Sequence, residues 1–335
     1  MRDACPFYVL SFTFLFLFGV LNLPYTEPLN TIRPTDQPRA GDKAVALGEL
    51  TRAGFAVPAG ICVLSEAYRE TIAQPLNEKI AARIAAAEID DPVDLEAATD
   101  EIRVWIEQAP LAPTLLDEIA NALKTIDAKY FAVRTSRIFE DVPNPAASGL
   151  LQAYLGVAGV DGVIAALHQV WATPWNSRAI YYRHRKKIDT HKVTMAAVIQ
   201  PMLDADASGV MFTANPLTGA SDEIHIDATW GLGQAVIAAR WKPDHFVIAK
   251  TDLTVREQNI PAKTVMDVVA SEGGVQSIGV PDEKQTQSSL SDAHVNALAT
   301  LGKKIEAHFQ SPQDIEWCRV GEKIWILQTR ALKKR

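Results

Sequence analysis

Asp314-Ile315-Glu316-Trp317, followed around Gly321 by Trp325-Ile326-Leu327-Gln328-Thr329-Arg330, is the stretch on which the reading of this chain turns. Apolar and polar residues alternate on both sides of a Gly-containing turn, which is the pattern of a β-hairpin. With residues 320–322 as the loop, Asp314 is expected opposite Gln328. Glu316 then faces the same way, because strand side chains repeat every second residue. Two carboxylates, an amide and the guanidinium of Arg330 share one surface. Uncompensated on a half-buried sheet, such a cluster is costly. A divalent cation bridging to a polyphosphate would supply the missing positive charge, and Mg2+ prefers oxygen ligands of this kind.

The surrounding 335 residues are 48% hydrophobic and 22% charged, enough to bury a large core in two domains or lobes. A formal net charge of −7 gives no global basic field and argues against nucleic acid as a partner. Cys5, Cys62 and Cys318 are widely spaced, with no CxxC and no Cys/His grouping at zinc spacing. A reducing compartment and no zinc-type structural metal are expected. Residues 7–23 are nearly continuous apolar sequence, at the lower edge of what spans a bilayer. Arg2 and Asp3 precede them, and no clean small-x-small cleavage site follows. A secretory signal or membrane anchor and a buried or foreign leader both fit. The leader is preferred, because the rest of the chain reads as nucleotide-dependent and cytoplasmic.

Residues 24–40 hold four prolines and read as a linker, so the folded unit is expected to begin at Gly41. Apolar residues then recur at helical spacing (Ala44, Leu47, Leu50), and residues 60–64 are extended. Ala- and Glu-rich sequence over residues 66–123 predicts several helices, broken at Pro92, Pro110 and Pro113. Residues 130–134 predict a strand leading into a Pro-rich loop, and helices follow to about Arg185. Beyond the basic run Arg183-His184-Arg185-Lys186-Lys187, strands are predicted over residues 193–200, 209–213, 223–228 and 246–250. Ser291 then opens a helix with the apolar stripe Val295, Leu298, Leu301, Ile305 and Phe309. The expected organisation is α+β, with a helix-rich lobe over residues 41–195 and a strand-rich lobe over 196–335.

Lys43 follows Gly41 at the start of a helix, where the macrodipole disfavours a cation unless an anion binds beside it. It is either an anion ligand or a solvated lysine, since the first glycine and the hydroxyl residue of a Walker A loop are missing. Arg134 ends a strand beside Thr135 and Ser136, which suits bidentate phosphate contact; an ordinary pair with Glu140 or Asp141 fits equally. Ser148-Gly149 would bring backbone N–H groups to phosphate oxygens, or form a plain turn. Gly231-Leu232-Gly233-Gln234 lacks the third glycine and the βαβ context of a dinucleotide fingerprint. The histidines show no catalytic grouping. Asp204 and Asp206 read as a turn.

Taken in order, Gly41-Asp42-Lys43 with Val57-Pro58-Ala59-Gly60, Val133-Arg134-Thr135-Ser136 with Glu140-Asp141-Val142-Pro143, Gly209-Val210-Met211-Phe212-Thr213-Ala214-Asn215-Pro216, Trp230-Gly231-Leu232-Gly233, and Asp314-Ile315-Glu316 with Leu327-Gln328-Thr329-Arg330 carry a resemblance. They resemble the N-terminal ATP-binding domain of the phosphoenolpyruvate synthase and pyruvate phosphate dikinase family, shared with rifampicin phosphotransferase. The likeness covers residues 41–332. It implies a two-lobed ATP-grasp fold and ATP with Mg2+ as cofactors. Carried over, Lys43 and Arg134 hold the phosphates, with Ser148, Gly149 and Thr213 among the nucleotide contacts. Glu316 and Gln328 bind Mg2+ with Asp314 close by, and Arg330 neutralises charge on the transferred group. Gln200 and Met202 fall in a segment matching the adenine-side hinge, or in a simple inter-lobe strand.

Departures from the family pattern are Asp42 in place of a second glycine, Leu150 after Ser148-Gly149, Gln234 in place of a glutamate, and the bulky Arg137 and Phe139. Neither a phosphohistidine motif nor room for a substrate barrel is present. The expectation is a kinase-like module that binds ATP for transfer to a histidine on a separate domain or chain. A degenerate interaction domain and a truncated rifampicin phosphotransferase are the alternatives.

Overall fold

The computed structural model describes residues 24–73, 75–138, 153–189, 193–237 and 241–332. Two antiparallel sheets organise them. The first contains β1 (Thr26–Pro28), β2 (Ile61–Val63), β3 (Tyr130–Arg137), β4 (Ala153–Ala158) and β5 (Met195–Pro201), in the order β1-β2-β5-β3-β4. The second contains β6 (Ala207–Phe212), β7 (Glu223–Trp230), β8 (Asp244–Ala249), β9 (Val255–Asn259), β12 (Gln313–Val320) and β13 (Lys323–Ala331), in the order β13-β12-β6-β7-β8-β9. A separate ribbon pairs β10 (Val265–Val269) with β11 (Val275–Gly279).

The helices are α1 (Gln37–Arg52), α2 (Ser65–Thr71), α3 (Leu76–Ala86), α4 (Pro92–Glu107), α5 (Pro113–Lys124), α6 (Gly159–Ala172), α7 (Ser177–Lys186), α8 (Gln234–Ile237), α9 (Asp282–Gln285) and α10 (Asp292–Phe309). Pro92 and Pro113 sit in first turns, where a missing N–H costs nothing, and Asp91 caps α4 by accepting from the Val93 N–H at 2.9 Å. Ser291 caps α10 as its sequence predicts.

Alternation along each strand divides its faces. Val133 and Ile199 point into a core shared with Ile102, Ile119 and Trp171 from the helices of the first lobe. The opposite face of that sheet meets α1 through Val198, Cys62 and Leu47. In the second sheet Ile224, Ile226, Ile315 and Trp317 pack on Leu298 and Ile305 of α10, leaving Glu223, His225, Asp227, Asp314 and Glu316 for the other face. The α1 core is continuous with that of the second sheet.

Residues 24–40 depart from the expected linker. Thr26–Pro28 adds an edge strand to β2, Leu29 and Ile32 are buried, and α1 begins at Gln37 rather than Gly41. The prolines serve positions that tolerate them, Pro28 on a sheet edge and Pro38 in the first turn of α1. The boundary expected at 195/196 falls inside β5, which pairs with β2 and β3 and so belongs to the first sheet.

The β10–β11 ribbon joins the two halves. At its middle the Asp267 carbonyl accepts from the Leu232 N–H at 2.8 Å, and at its tip the Gly274 N–H donates to the Gly156 carbonyl of β4 at 2.8 Å. Gly156, at φ 69°, admits this contact because a Cβ there would lie 2.3 Å from the Gly274 oxygen.

Candidate functional site

The hairpin forms, but its register differs from the expectation: Glu316 pairs with Gln328, and Asp314 with Arg330. Two single-residue effects add. The turn uses Gly321 and Glu322 alone, and Leu327 bulges out between the Gln328 and Ile326 pairings. A one-residue slip would have turned Gln328 and Arg330 toward the core face occupied by Ile326. The bulge returns them to the carboxylate face. Two elements hold it: the Leu327 carbonyl accepts from Arg134 Nη1 at 2.7 Å, and the Ile326 N–H donates to the Ala56 carbonyl at 2.8 Å.

Arg134 from β3 of the first sheet and Lys43 from α1 reach this face. Arg134 is buried; its Nη2 donates to Glu316 Oε2, and its Nε–H is without a partner. Lys43 Nζ donates to Gln328 Oε1. Its position depends on Gly41, whose φ of 76° and ψ of 170° break α1. A Cβ at Gly41 would lie 2.6 Å from the Ser136 and Arg137 carbonyls. The Ser136 hydroxyl fastens the break, donating to the Ala40 carbonyl at 2.7 Å and accepting from the Ala44 N–H at 3.1 Å. On the hairpin side, Arg330 grips Asp314 Oδ2 through Nε at 2.8 Å and Nη2 at 2.7 Å.

The carboxylates are thus already compensated, contrary to the sequence expectation, and the cluster carries more cationic than anionic groups. Burial, then the Arg134 guanidinium, pushes the Lys43 ammonium down to about 7. Burial raises the Glu316 carboxyl, but Arg134 and Lys43 outweigh it and hold the group below the usual glutamate range. For Asp314 burial prevails over Arg330, so its carboxyl lies above the usual range. Cys318, next on the same face, is pushed by burial up to about 12 and stays a thiol. What remains for a cation is an oxygen set, Asp314, Glu316 and Gln328 on adjacent strands, which suits Mg2+ better than a thiophilic ion.

Gln200 lies on the Arg134 face of the first sheet, opposite Ala132, and donates from Nε2 to the Pro58 carbonyl at 2.9 Å. The Met202 N–H is committed to the Tyr130 carbonyl at 2.8 Å. Thr213 is not brought to the cluster. It is fully buried just past β6, its Oγ1 accepts from the Gln313 N–H at 2.8 Å, and its methyl faces Gly302 of α10. Ser148, Gly149, Glu140 and Asp141 lie outside the described residues, as do the apolar residues 7–23. Among the described residues no helix is long and apolar enough to cross a membrane.

One contact was not anticipated. Asp42 and Arg137, each a departure from the family pattern, bind each other, Arg137 Nη2 to Asp42 Oδ2 at 2.9 Å. The bulge at Leu327 left a faint signal in the sequence: strict alternation from Ile324 and Ile326 would turn Gln328 onto the apolar core face.

Residues 37–335 match the family model described as the pyruvate phosphate dikinase AMP/ATP-binding domain. The chain is 35% identical, over 89% of its length, to a probable phosphoenolpyruvate synthase of Pyrococcus abyssi, covering 42% of that protein. It is 34% identical over 89% of its length to the phosphoenolpyruvate synthase of Pyrococcus furiosus, covering 42% of it. A rifampicin phosphotransferase of Streptomyces sviceus is 33% identical over 92% of the chain, which covers 36% of that protein. The chain therefore spans about two fifths of the length of the curated relatives it matches.

Proposed function

The chain belongs to the pyruvate phosphate dikinase AMP/ATP-binding domain family, and from that membership we propose that the seam between its two sheets binds Mg-ATP for phosphoryl transfer. The supporting observation is the cluster itself: cations from α1 and the first sheet meet oxygen ligands from the second sheet on one half-buried surface. Lys43 and Arg134 are assigned to the phosphates. Gln200 and Met202 are assigned to the adenine side. Arg330 is assigned to charge developing on the transferred group.

The chemistry asked of these residues is positional and electrostatic. Phosphoryl transfer asks chiefly for alignment and charge stabilisation. Arg134 binds Glu316 and keeps its Nε–H unpartnered, so a phosphate oxygen would find a donor there and a carboxylate to replace. Mg2+ held by Asp314, Glu316 and Gln328 would supply the positive charge that Glu316 then lacks and screen the phosphates. Lys43, with its proton loosely held, binds more favourably as a cation once a phosphate is beside it.

The acceptor in this reading is a histidine on a separate domain or chain, as in a phosphoenolpyruvate synthase-like partial enzyme. Calorimetry on the full chain tests the nucleotide step. ATP should bind with a dissociation constant of roughly 1 μM to 1 mM, more tightly with Mg2+, and at least tenfold more weakly in Arg134→Ala and Glu316→Ala. Unchanged affinity in both variants overturns the assignment. Labelled ATP with an added histidine-bearing domain tests the transfer step; an unlabelled histidine despite ATP binding would leave a nucleotide-binding module without catalysis.

A further inference from the structure

The break at Gly41 aims the next side chain back over the start of α1. The Asp42 carboxylate accepts from the Lys43 N–H at 2.8 Å and from the Arg137 N–H at 3.2 Å, both on Oδ1. Its Oδ2 accepts from Arg137 Nη2 at 2.9 Å. Two convergent backbone amides and a guanidinium are the donor set that holds a phosphate oxygen, here closed around a carboxylate of the same chain. Asp42 is also among the charges acting on the Lys43 ammonium, which places it within the electrostatic reach of the cluster.

We propose that Asp42 is an internal competitor for the terminal phosphates of the nucleotide, setting affinity by occupying donors that the ligand would otherwise take. The proposal rests on the reading of the seam as a nucleotide site. Three features carry it. Asp42 holds all three of these donors with its own carboxylate. Its side chain is 52% exposed, so the Arg137 pair is weak and a polyphosphate can displace it. Arg137 also has a buried Nε–H with no partner, so the carboxylate does not exhaust the guanidinium. A ligand phosphate that fails to displace Asp42 would still meet its negative charge across a short gap.

The competition is removed most conservatively by Asp42→Asn, which keeps shape and an acceptor but loses the charge, and more fully by Asp42→Gly. On the full chain, by calorimetry with Mg2+, both variants should bind ATP about five- to tenfold more tightly than the wild type. The gain should shrink as salt rises, and adenosine, which has no phosphate, should bind all three proteins alike. Arg137→Ala frees the carboxylate instead of removing it and should weaken ATP binding. Equal or weaker ATP binding by Asp42→Asn, with the wild type binding normally, overturns the inference and leaves the site reading standing. A folded wild type and a folded Asp42→Asn that both ignore ATP bring down the site reading and the inference together. ATP bound by the variants and not by the wild type is the proposal in its strongest form.

Discussion

The Asp244–Lys263 pair and the Glu316–Arg134 pair are both withdrawn from solvent, yet their surroundings differ. Asp244 and Lys263 are buried, and both ions find their partners within one neighbourhood of the second sheet. Asp244 accepts from Lys263 Nζ, and from the N–H and Oγ of Ser289 at 2.7 Å each; Lys263 also donates to the Pro261 carbonyl at 3.1 Å. The Glu316–Arg134 pair instead crosses from one sheet to the other and keeps an unpartnered Nε–H. It neighbours a lysine whose proton is loosely held. A buried charge partnered from within one neighbourhood serves the fold. One left unsaturated at a seam is available to a ligand.

The sealed pair should give the largest effect on stability. Asp244→Ala strands the Lys263 ammonium and should cost about 3–5 kcal/mol in denaturant unfolding. Replacing both partners, Asp244→Leu with Lys263→Met, should recover most of the loss, since an apolar pair of similar volume removes the stranded charge. If the single variant unfolds like the wild type, the contrast between the pairs collapses.

At the seam the corresponding change should be milder for the fold. Glu316→Gln leaves Arg134 its Leu327 carbonyl partner, and Lys43 can release a proton to relieve the excess positive charge. The expected destabilisation is about 1.5 kcal/mol, the low end for a hydrogen bond to a charged group. A cost matching that of Asp244→Ala would show the seam to be structural.

Much of this site was legible because strand parity is robust to the error made. Asp314, Glu316, Gln328 and Arg330 share a face whether Asp314 pairs with Gln328 or, as found, with Arg330, since a shift of two residues preserves faces. Lys43 and Arg134 could be singled out by local context, but not their meeting with Gln328 and Glu316, which lie more than 180 residues away in sequence. The bulge was only faintly signalled for the same reason, because Arg134 and Ala56 hold it from the other half of the molecule. Thr213 was misplaced because a motif match carries no parity: it follows Met211 toward α10, whereas Phe212 pairs with Asp314 on the site face. Asp244 and Lys263 belong to no motif, and only the packing of three separate segments reveals them.

A third pair lies between these two designs and should give the smallest effect. His245 Nδ1 meets Asp227 Oδ1 at 2.6 Å, on the face of the second sheet that also carries Glu316, which is linked to Asp227 through Val210 in the strand register. The pair is half-buried within one sheet, with the His225 ring centroid 5.5 Å from that of His245. The hydrogen bond to Asp227, opposed by burial and helped by the charges of Asp227 and Glu257, raises the imidazolium above the usual histidine range. A raised folded-state value means that the folded protein binds the proton more tightly than the unfolded chain. The added stability is therefore fully present below the unfolded value, about 6.5, and is lost as pH rises through the folded value above it. Asp227→Asn should cost under about 1 kcal/mol at pH 5, because solvent screens a pair this exposed. The difference from wild type should fade as pH rises past the folded value. Chemical denaturation of both proteins at pH 5, 7 and 9 measures it. A difference that is constant across that range would mean that the pair acts by shape alone. It would then group with the sealed design and not with the titrating seam.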